Sequence, residues 1–180
     1  MGISTKKGDS GFTDLPGKTG RRVRKDDPII TCLGSLDELD AFCSLAELEL
    51  KSSGDSPGGN IIAELRKELF SVIMPAVAGI LSAGEAYIPN TAALEQQIAE
   101  LEKENPIHGF AKNWTKTGAA KINAARTICR RAERDMATVL EKYASGSEDR
   151  ACTSGDALLS WLNRLSDLMF LLAVSEEKSR

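Results

Sequence analysis

From Ile122 to Tyr143 apolar residues recur at steps of three and four: Ile122, Ala125, Cys129, Ala132, Met136, Val139 and Tyr143. The same spacing returns near the C-terminus in Leu158, Leu162, Leu165, Met169 and Leu172. At 3.6 residues per turn each set falls on one stripe, which makes each segment an amphipathic helix with a buried face. Three further segments share the habit: Leu36, Leu39, Cys43, Ala46 and Leu50; then Leu65 through Leu81; then Leu94, Ile98 and Leu101. No stretch shows the two-residue alternation of a strand. Five helical patterns joined by short polar connections define an all-α bundle.

The boundaries follow from local signals. Ser35 and Glu38 match the S-x-x-E capping box, which opens the first helix at Ser35 and leaves residues 1–31 as a loop. The Gly- and Pro-containing linker from Ser52 to Asn60 ends that helix. A second pattern runs over 61–82 with Pro75 inside it, where a kink or break is expected because proline removes an intrahelical hydrogen bond. The third spans Thr91 to Glu104 and closes at Asn105-Pro106, the fourth runs over 119–144, and Ser154 is placed to cap the last. The 180 residues suit one domain, with the helical bundle over 35–175.

Charge narrows the function classes. With 23 Lys and Arg against 26 Asp and Glu, the chain lacks the polycationic footprint of a nucleic-acid binder. Its positive charge is concentrated in residues 1–25, where Lys6, Lys7, Lys18, Arg21, Arg22, Arg24 and Lys25 face only Asp9 and Asp14. Such an end suits an anion. The four cysteines are scattered, without C-x-x-C, so they read as reduced thiols in a cytoplasmic protein and not as a zinc site or disulfide scaffold. No run approaches 18 consecutive apolar residues, and no membrane span is expected.

Several polar stretches have two readings each. Arg126, Arg130 and Glu133 share a helical stripe, with Arg131 and Arg134 beside them. A solvated charged face is the ordinary explanation; an anion cradle is the other, because guanidinium forks match phosphate oxygens. Thr5, Gly8, Asp9, Gly11 and Thr13 fit either a basic tail or a loop that wraps phosphates and a hydrated Mg2+. Gly17-Lys18-Thr19 does not complete a P-loop, since Phe12 stands where its first glycine is required. Asp37 and Asp40 in a first turn complement the helix dipole or serve a partner. His108 has no companion that would make a metal site. Phe110 and Trp114 read as loop anchors, Trp161 and Phe170 as an apolar surface wide enough for contact with another subunit, and Asn163 and Asp167 as polar groups needing partners or a ligand.

Taken together, four stretches in order resemble one family. They are Thr5-Lys6-Lys7-Gly8-Asp9-Ser10-Gly11-Phe12-Thr13, Lys25-Asp26-Asp27-Pro28 with Gly34-Ser35-Leu36-Asp37-Glu38-Leu39, Arg126 to Arg134, and Leu162 to Phe170. This pattern resembles the PduO-type ATP:cob(I)alamin adenosyltransferases. The resemblance implies a five-helix bundle with ferritin-like up-down packing and an extended N-terminal nucleotide-binding loop, assembled as a homotrimer with ATP between subunits. It implies transfer of the 5′-deoxyadenosyl group of ATP to reduced cobalamin, with Mg2+ accompanying ATP and product passing to adenosylcobalamin-dependent enzymes.

By the same resemblance, Thr5, Lys6, Gly8, Asp9, Gly11 and Thr13 wrap the triphosphate, Lys25 and Arg130 neutralise it, and Glu133, Arg134 and Asn163 contact the nucleotide. Asp37 and Arg126 form an ion pair between subunits, and Phe110 covers the lower face of the corrin. No resident metal is implied. The chain departs from the family's Pro-Gly-Gly turn after Phe110, reading Ala111-Lys112-Asn113-Trp114-Thr115, and Pro75 is unusual. The departure beside Phe110 motivates an alternative, a catalytically weak nucleotide or cobalamin carrier or sensor of the same fold.

Overall fold

The computed structural model describes residues 6, 8–15, 20–52, 54, 56–80, 88–107, 109, 113–143 and 150–179, with side chains of the last helix from Gly155 onward. A short antiparallel hairpin comes first, β1 (Phe12–Asp14) on β2 (Arg22–Arg24), with Phe12 opposite Arg24 and Thr13 opposite Val23. Then follow α1 (Pro28–Lys51), α2 (Pro57–Glu68), a π-helical turn over Leu69–Ile73, α3 (Met74–Gly79), α4 (Thr91–Glu104), α5 (Thr117–Tyr143) and α6 (Arg150–Lys178). Because α2, the π turn and α3 form one continuous rod, the helical bodies among the described residues number five, as the periodicity requires. The core runs along α1, α5 and α6, with α2 packed on α1 and α4 on α6. Ile29, Leu36, Leu39, Ile122, Met136, Leu158 and Leu162 are among its fully buried side chains.

Several expected boundaries move. Helix α1 begins at Pro28, about two turns before Ser35. Its N-cap is Asp27, whose Oδ1 accepts from the Ile29 amide at 3.0 Å, and Pro28 fills the first turn, where an absent N–H costs nothing. Ser35 is therefore no cap: it is buried in mid-helix and donates to Asp135 Oδ2 at 2.6 Å. Glu38 pairs instead with Arg131. Residues 1–31 are not wholly loop, since they contain the hairpin and the first turn of α1. Asp40 lies well past the first turn and takes a bidentate bond from Arg66 at 2.9 and 3.2 Å, which ties α2 to α1.

The rod α2–α3 starts at Pro57, inside the expected linker. The break expected at Pro75 takes the form of the π turn just before it, whose last bond runs from the Met74 amide back to the Leu69 carbonyl. Pro75 then sits in the first turn of α3, where it breaks no bond. Helix α6 extends back to Arg150, so Ser154 lies within it and not at its cap. Trp161 is fully buried in the chain's own core, which removes it from any surface offered to another subunit. By length and composition Gly155–Lys178 is apolar enough to cross a membrane, yet 61% of its most apolar window is buried inside the bundle, as befits a central helix.

Candidate functional site

Between the middles of α5 and α6 lies a cleft of about 540 Å³, lined by Arg130, Glu133, Arg134, Ala137, Leu159, Ser160, Asn163 and Arg164. Helical spacing explains the set. Arg130, Glu133, Arg134 and Ala137 recur every three or four residues on α5, and Ser160, Asn163 and Arg164 do so on α6. Both helices turn their apolar stripes, Cys129, Ala132 and Met136 on one side and Leu158, Leu162 and Leu165 on the other, into the core. The polar residues are thus presented on a frame that cannot easily shift.

The charge of Arg164 is answered by Glu95 and Asp167, which leaves the guanidinium groups of Arg130 and Arg134 against the Glu133 carboxylate, a balance that favours an anion. Arg134 Nη1 donates to the Arg130 carbonyl at 2.9 Å, whereas the Arg130 guanidinium has no partner among the described residues. Asn163 Nδ2 donates to Glu133 Oε1 at 3.0 Å, and Arg164 Nη1 donates to Asn163 Oδ1 at 3.0 Å. Arg164 is braced in turn by Glu95 of α4 at 3.3 Å and by Asp167 at 3.2 Å. Asp167 is thereby accounted for.

About one turn before Arg130 on α5, Arg126 does not line the cleft. Its guanidinium lies 6.0 Å from the centre of the Phe170 ring, its Nε donates to Asn123 Oδ1 at 3.0 Å, and the Phe170 ring meets Trp114 edge-on at 6.4 Å. Burial, and then the charge of Arg130, lower its ionisation below the ordinary arginine value. Asp37 is exposed on α1, and no salt bridge joins it to Arg126 among the described residues of this one chain. The strap that carries Trp114 is fastened by Glu177, which accepts from the Thr115 and Lys116 amides at 3.0 and 3.1 Å.

The N-terminal residues form a second cluster. Lys6 adopts a left-handed φ of 56°, and its carbonyl accepts from the Asp9 amide at 3.3 Å. Gly11, at φ 79°, donates to the Gly8 carbonyl at 3.3 Å and accepts from the Lys25 amide at 2.9 Å, so the turn closes on the start of α1. Lys25 lies across Gly8: a Cβ there would meet its Nζ at 3.1 Å. Thr13 sits in β1, and Asp9 is exposed. The whole cluster is moored by Asp27, whose Oδ2 accepts from Lys142 at 2.8 Å and from the Tyr143 hydroxyl at 2.6 Å at the far end of α5. Glu133 and Lys142 are separated along the helix by roughly 13 Å, and none of the described residues between Lys6 and Lys25 lines the cleft.

Of the residues singled out from the sequence, then, Arg130, Glu133, Arg134 and Asn163 meet in one cleft, and Lys6, Gly8, Asp9, Gly11 and Lys25 in one loop. Arg126 and Asp37 stand apart from both. Thr5, His108 and Phe110 lie outside the described residues, as does Gly17-Lys18-Thr19. Sequence reasoning passed over Ser160 and Arg164; their spacing to Asn163 was visible, but nothing in it told which polar face of α6 would meet α5.

A family model described as cobalamin adenosyltransferase matches residues 3–176. The chain is 29% identical over 185 residues to the corrinoid adenosyltransferase PduO of Salmonella typhimurium, a match that covers 98% of this chain and 50% of that protein. It is 32% identical over 180 residues to a corrinoid adenosyltransferase of Bacillus subtilis, covering 96% of this chain and 85% of the relative. It thus spans about half the length of the PduO relatives from Salmonella and Citrobacter freundii. A solved structure of a PduO-type ATP:corrinoid adenosyltransferase variant from Lactobacillus reuteri, complexed with cobalamin and ATP, superposes with a TM-score of 0.76 at 24% identity, over 98% of this chain and 93% of that one.

Proposed function

The chain belongs to the cobalamin adenosyltransferase family, and from that premise we propose that it transfers the 5′-deoxyadenosyl group of ATP to the cobalt of reduced cobalamin, releasing triphosphate. The observation that carries the reading is the α5–α6 cleft, where Arg130 offers a guanidinium unpaired among the described residues beside the Glu133–Asn163 pair. In this reaction the cobalt of the corrin attacks C5′, the C5′–O bond breaks, and its electron pair leaves with the triphosphate. The corrin supplies the nucleophile. The protein therefore has to hold the two substrates in line and stabilise charge as it gathers on the leaving group.

In this reading Arg130 and Arg134 face the phosphates, with Glu133 and Asn163 holding the nucleoside. The loop of Thr5, Lys6, Gly8, Asp9, Gly11 and Thr13, with Lys25 laid over Gly8, wraps the triphosphate through main-chain N–H groups and ammonium charge. Because no described residue of that loop lines the cleft within one chain, in this reading the loop of one subunit reaches the cleft of the next. This separation, together with an Asp37 and an Arg126 that do not pair within the chain, supports ATP at subunit interfaces, in the homotrimer that the resemblance implies. Among the described residues no cluster of three or more His, Cys, Asp or Glu offers a metal cage. Mg2+ would be carried by triphosphate oxygens, with the exposed Asp9 carboxylate as a hard ligand offered by the loop.

Phe110 keeps its corrin-covering role by resemblance alone. Cys32 and Cys43, buried and with thiols pushed up to about 12 by desolvation, are inert sulfhydryls that suit a reducing cytoplasm. The product, an adenosylated corrinoid, is consumed by enzymes that use its cobalt–carbon bond.

One assay tests the proposal: purified chain, ATP and chemically reduced cobalamin, followed by absorbance for the cobalt–carbon bond, with triphosphate counted as co-product. Equimolar bond and triphosphate is the expected result. ATP bound without any cobalt–carbon bond would overturn the enzyme and leave the carrier.

A further inference from the structure

Arg164 belongs to the wall of the cleft but has no part in the charge argument above. We infer that Arg164 is a positioning residue that fixes the Asn163 amide in one orientation, so that the cleft selects the base of the nucleotide as well as its phosphates. This rests on the reading of the cleft as a nucleotide site.

An asparagine amide is nearly symmetric in shape, and rotation by half a turn exchanges its donor and acceptor. In this cleft its two flanks have opposite and unambiguous polarity. Ionised Glu133 can only accept, and it lies 3.0 Å from Nδ2; Arg164 can only donate, and it lies 3.0 Å from Oδ1. Turning the amide over would set Oδ1 against a carboxylate and Nδ2 against a guanidinium, two repulsive contacts in place of two bonds. Arg164 is itself braced by Glu95 on α4 and Asp167 on α6, at 3.3 and 3.2 Å. With both flanks satisfied, the amide keeps one N–H and one lone pair for a ligand.

A device of this kind discriminates only against a group of fixed polarity. Phosphate oxygens accept from any donor, and ribose hydroxyls rotate to suit either arrangement of the amide. The edge of a nucleobase cannot. Adenine presents an amino donor beside a ring-nitrogen acceptor, the match for one asparagine amide, whereas hypoxanthine replaces the donor with a carbonyl. A tie between α4 and α6 would be a sufficient role for an arginine bonded only to Glu95, and exposed ion pairs of that sort contribute little to stability. The bond to Asn163 is not required for such a tie.

The test compares ATP, inosine triphosphate and inorganic triphosphate as ligands of the full-length chain by calorimetry. Wild type is expected to prefer ATP over the inosine nucleotide. In Arg164→Ala that preference falls roughly tenfold, while affinity for inorganic triphosphate stays within about twofold and the melting temperature is unchanged. Arg164→Lys, which keeps a donor-only group beside Oδ1, retains the preference. An unchanged preference in Arg164→Ala overturns the inference, as does equal weakening of all three ligands, which would make Arg164 a simple charge contact. A wild type that binds ATP and the inosine nucleotide alike overturns the inference and leaves the nucleotide site standing; a wild type that binds none of the three overturns the functional reading itself.

Discussion

The α5–α6 cleft and the N-terminal loop answer to the same proposed ligand, yet they are held in different ways. The cleft residues project from two long helices whose opposite faces, Ile122 to Val139 and Leu158 to Leu172, are deeply buried. Among the described residues of the loop from Lys6 to Lys25, only Leu15 and Val23 are buried, and its shape depends on main-chain bonds of 2.9 to 3.3 Å and on the mooring at Asp27. One half of the site is preorganised by the core. The other is a short hairpin held by Leu15, Val23 and the Asp27 mooring, and it is the half better suited to close around a ligand arriving from a neighbouring cleft. Charge that must stabilise a leaving group belongs on the rigid half, where no reorganisation is needed when the bond breaks.

If that division is right, the largest loss follows from the rigid half. Arg130→Ala should lower turnover on the order of 100-fold without a change in melting temperature, checked by initial rates at saturating ATP. Retained turnover would remove Arg130 from the chemistry. Next in size is a recovery. Gly11→Val, which forces a β-branched residue into φ 79° and so damages only the loop, should complement Arg130→Ala when the two are unfolded and reassembled together. Read at ATP well below the wild-type KM, random mixing would restore roughly a quarter of the sites if each one joins two subunits, and rates there no better than the parental average would place loop and cleft in the same chain.

Gly11→Val alone should raise the KM for ATP about tenfold, with the strain confined to the loop at roughly 1–2 kcal/mol. Loss of the folded state instead would show that the loop is structural. The smallest effect concerns the mooring. Asp27→Ala should cost about 1 kcal/mol as a lost cap, read from urea unfolding. Burial pushes the Asp27 carboxyl up, but the bonds from Lys142, Tyr143 and the Ile29 amide outweigh it and hold the group below the ordinary carboxylate value. Its stabilising contribution is therefore complete above about pH 4 and is lost as the pH falls further. The gap between wild type and Asp27→Ala should narrow there; a gap that widened with acid would reverse the assignment.

Much of this architecture was written in the periodicity. The stripes that begin at Ile122 and Leu158 predict α5 and α6, because a face repeating every three and four residues can be buried only as a helix. Thr91–Glu104 matches residue for residue. The errors lie where a local signal had two meanings. Asp27-Pro28 opens a helix as readily as it makes a turn, and the S-x-x-E pattern at Ser35 was misleading because Asp135, a hundred residues away, supplies a better partner for that hydroxyl.

By itself the sequence determined the helices, their inward faces and the two groups of residues that resemble a nucleotide-binding pattern, since these depend on spacing along one chain. It could not determine which polar face of α6 turns toward α5, nor that Arg164 would reach Asn163, Glu95 and Asp167 at once. Those contacts depend on the rotation of one packed helix against its neighbours, a quantity fixed by the fit of whole apolar stripes and not by any residue that makes the contact. The same packing carried Arg126 out of the cleft and onto Phe170, although it shares a stripe with Arg130.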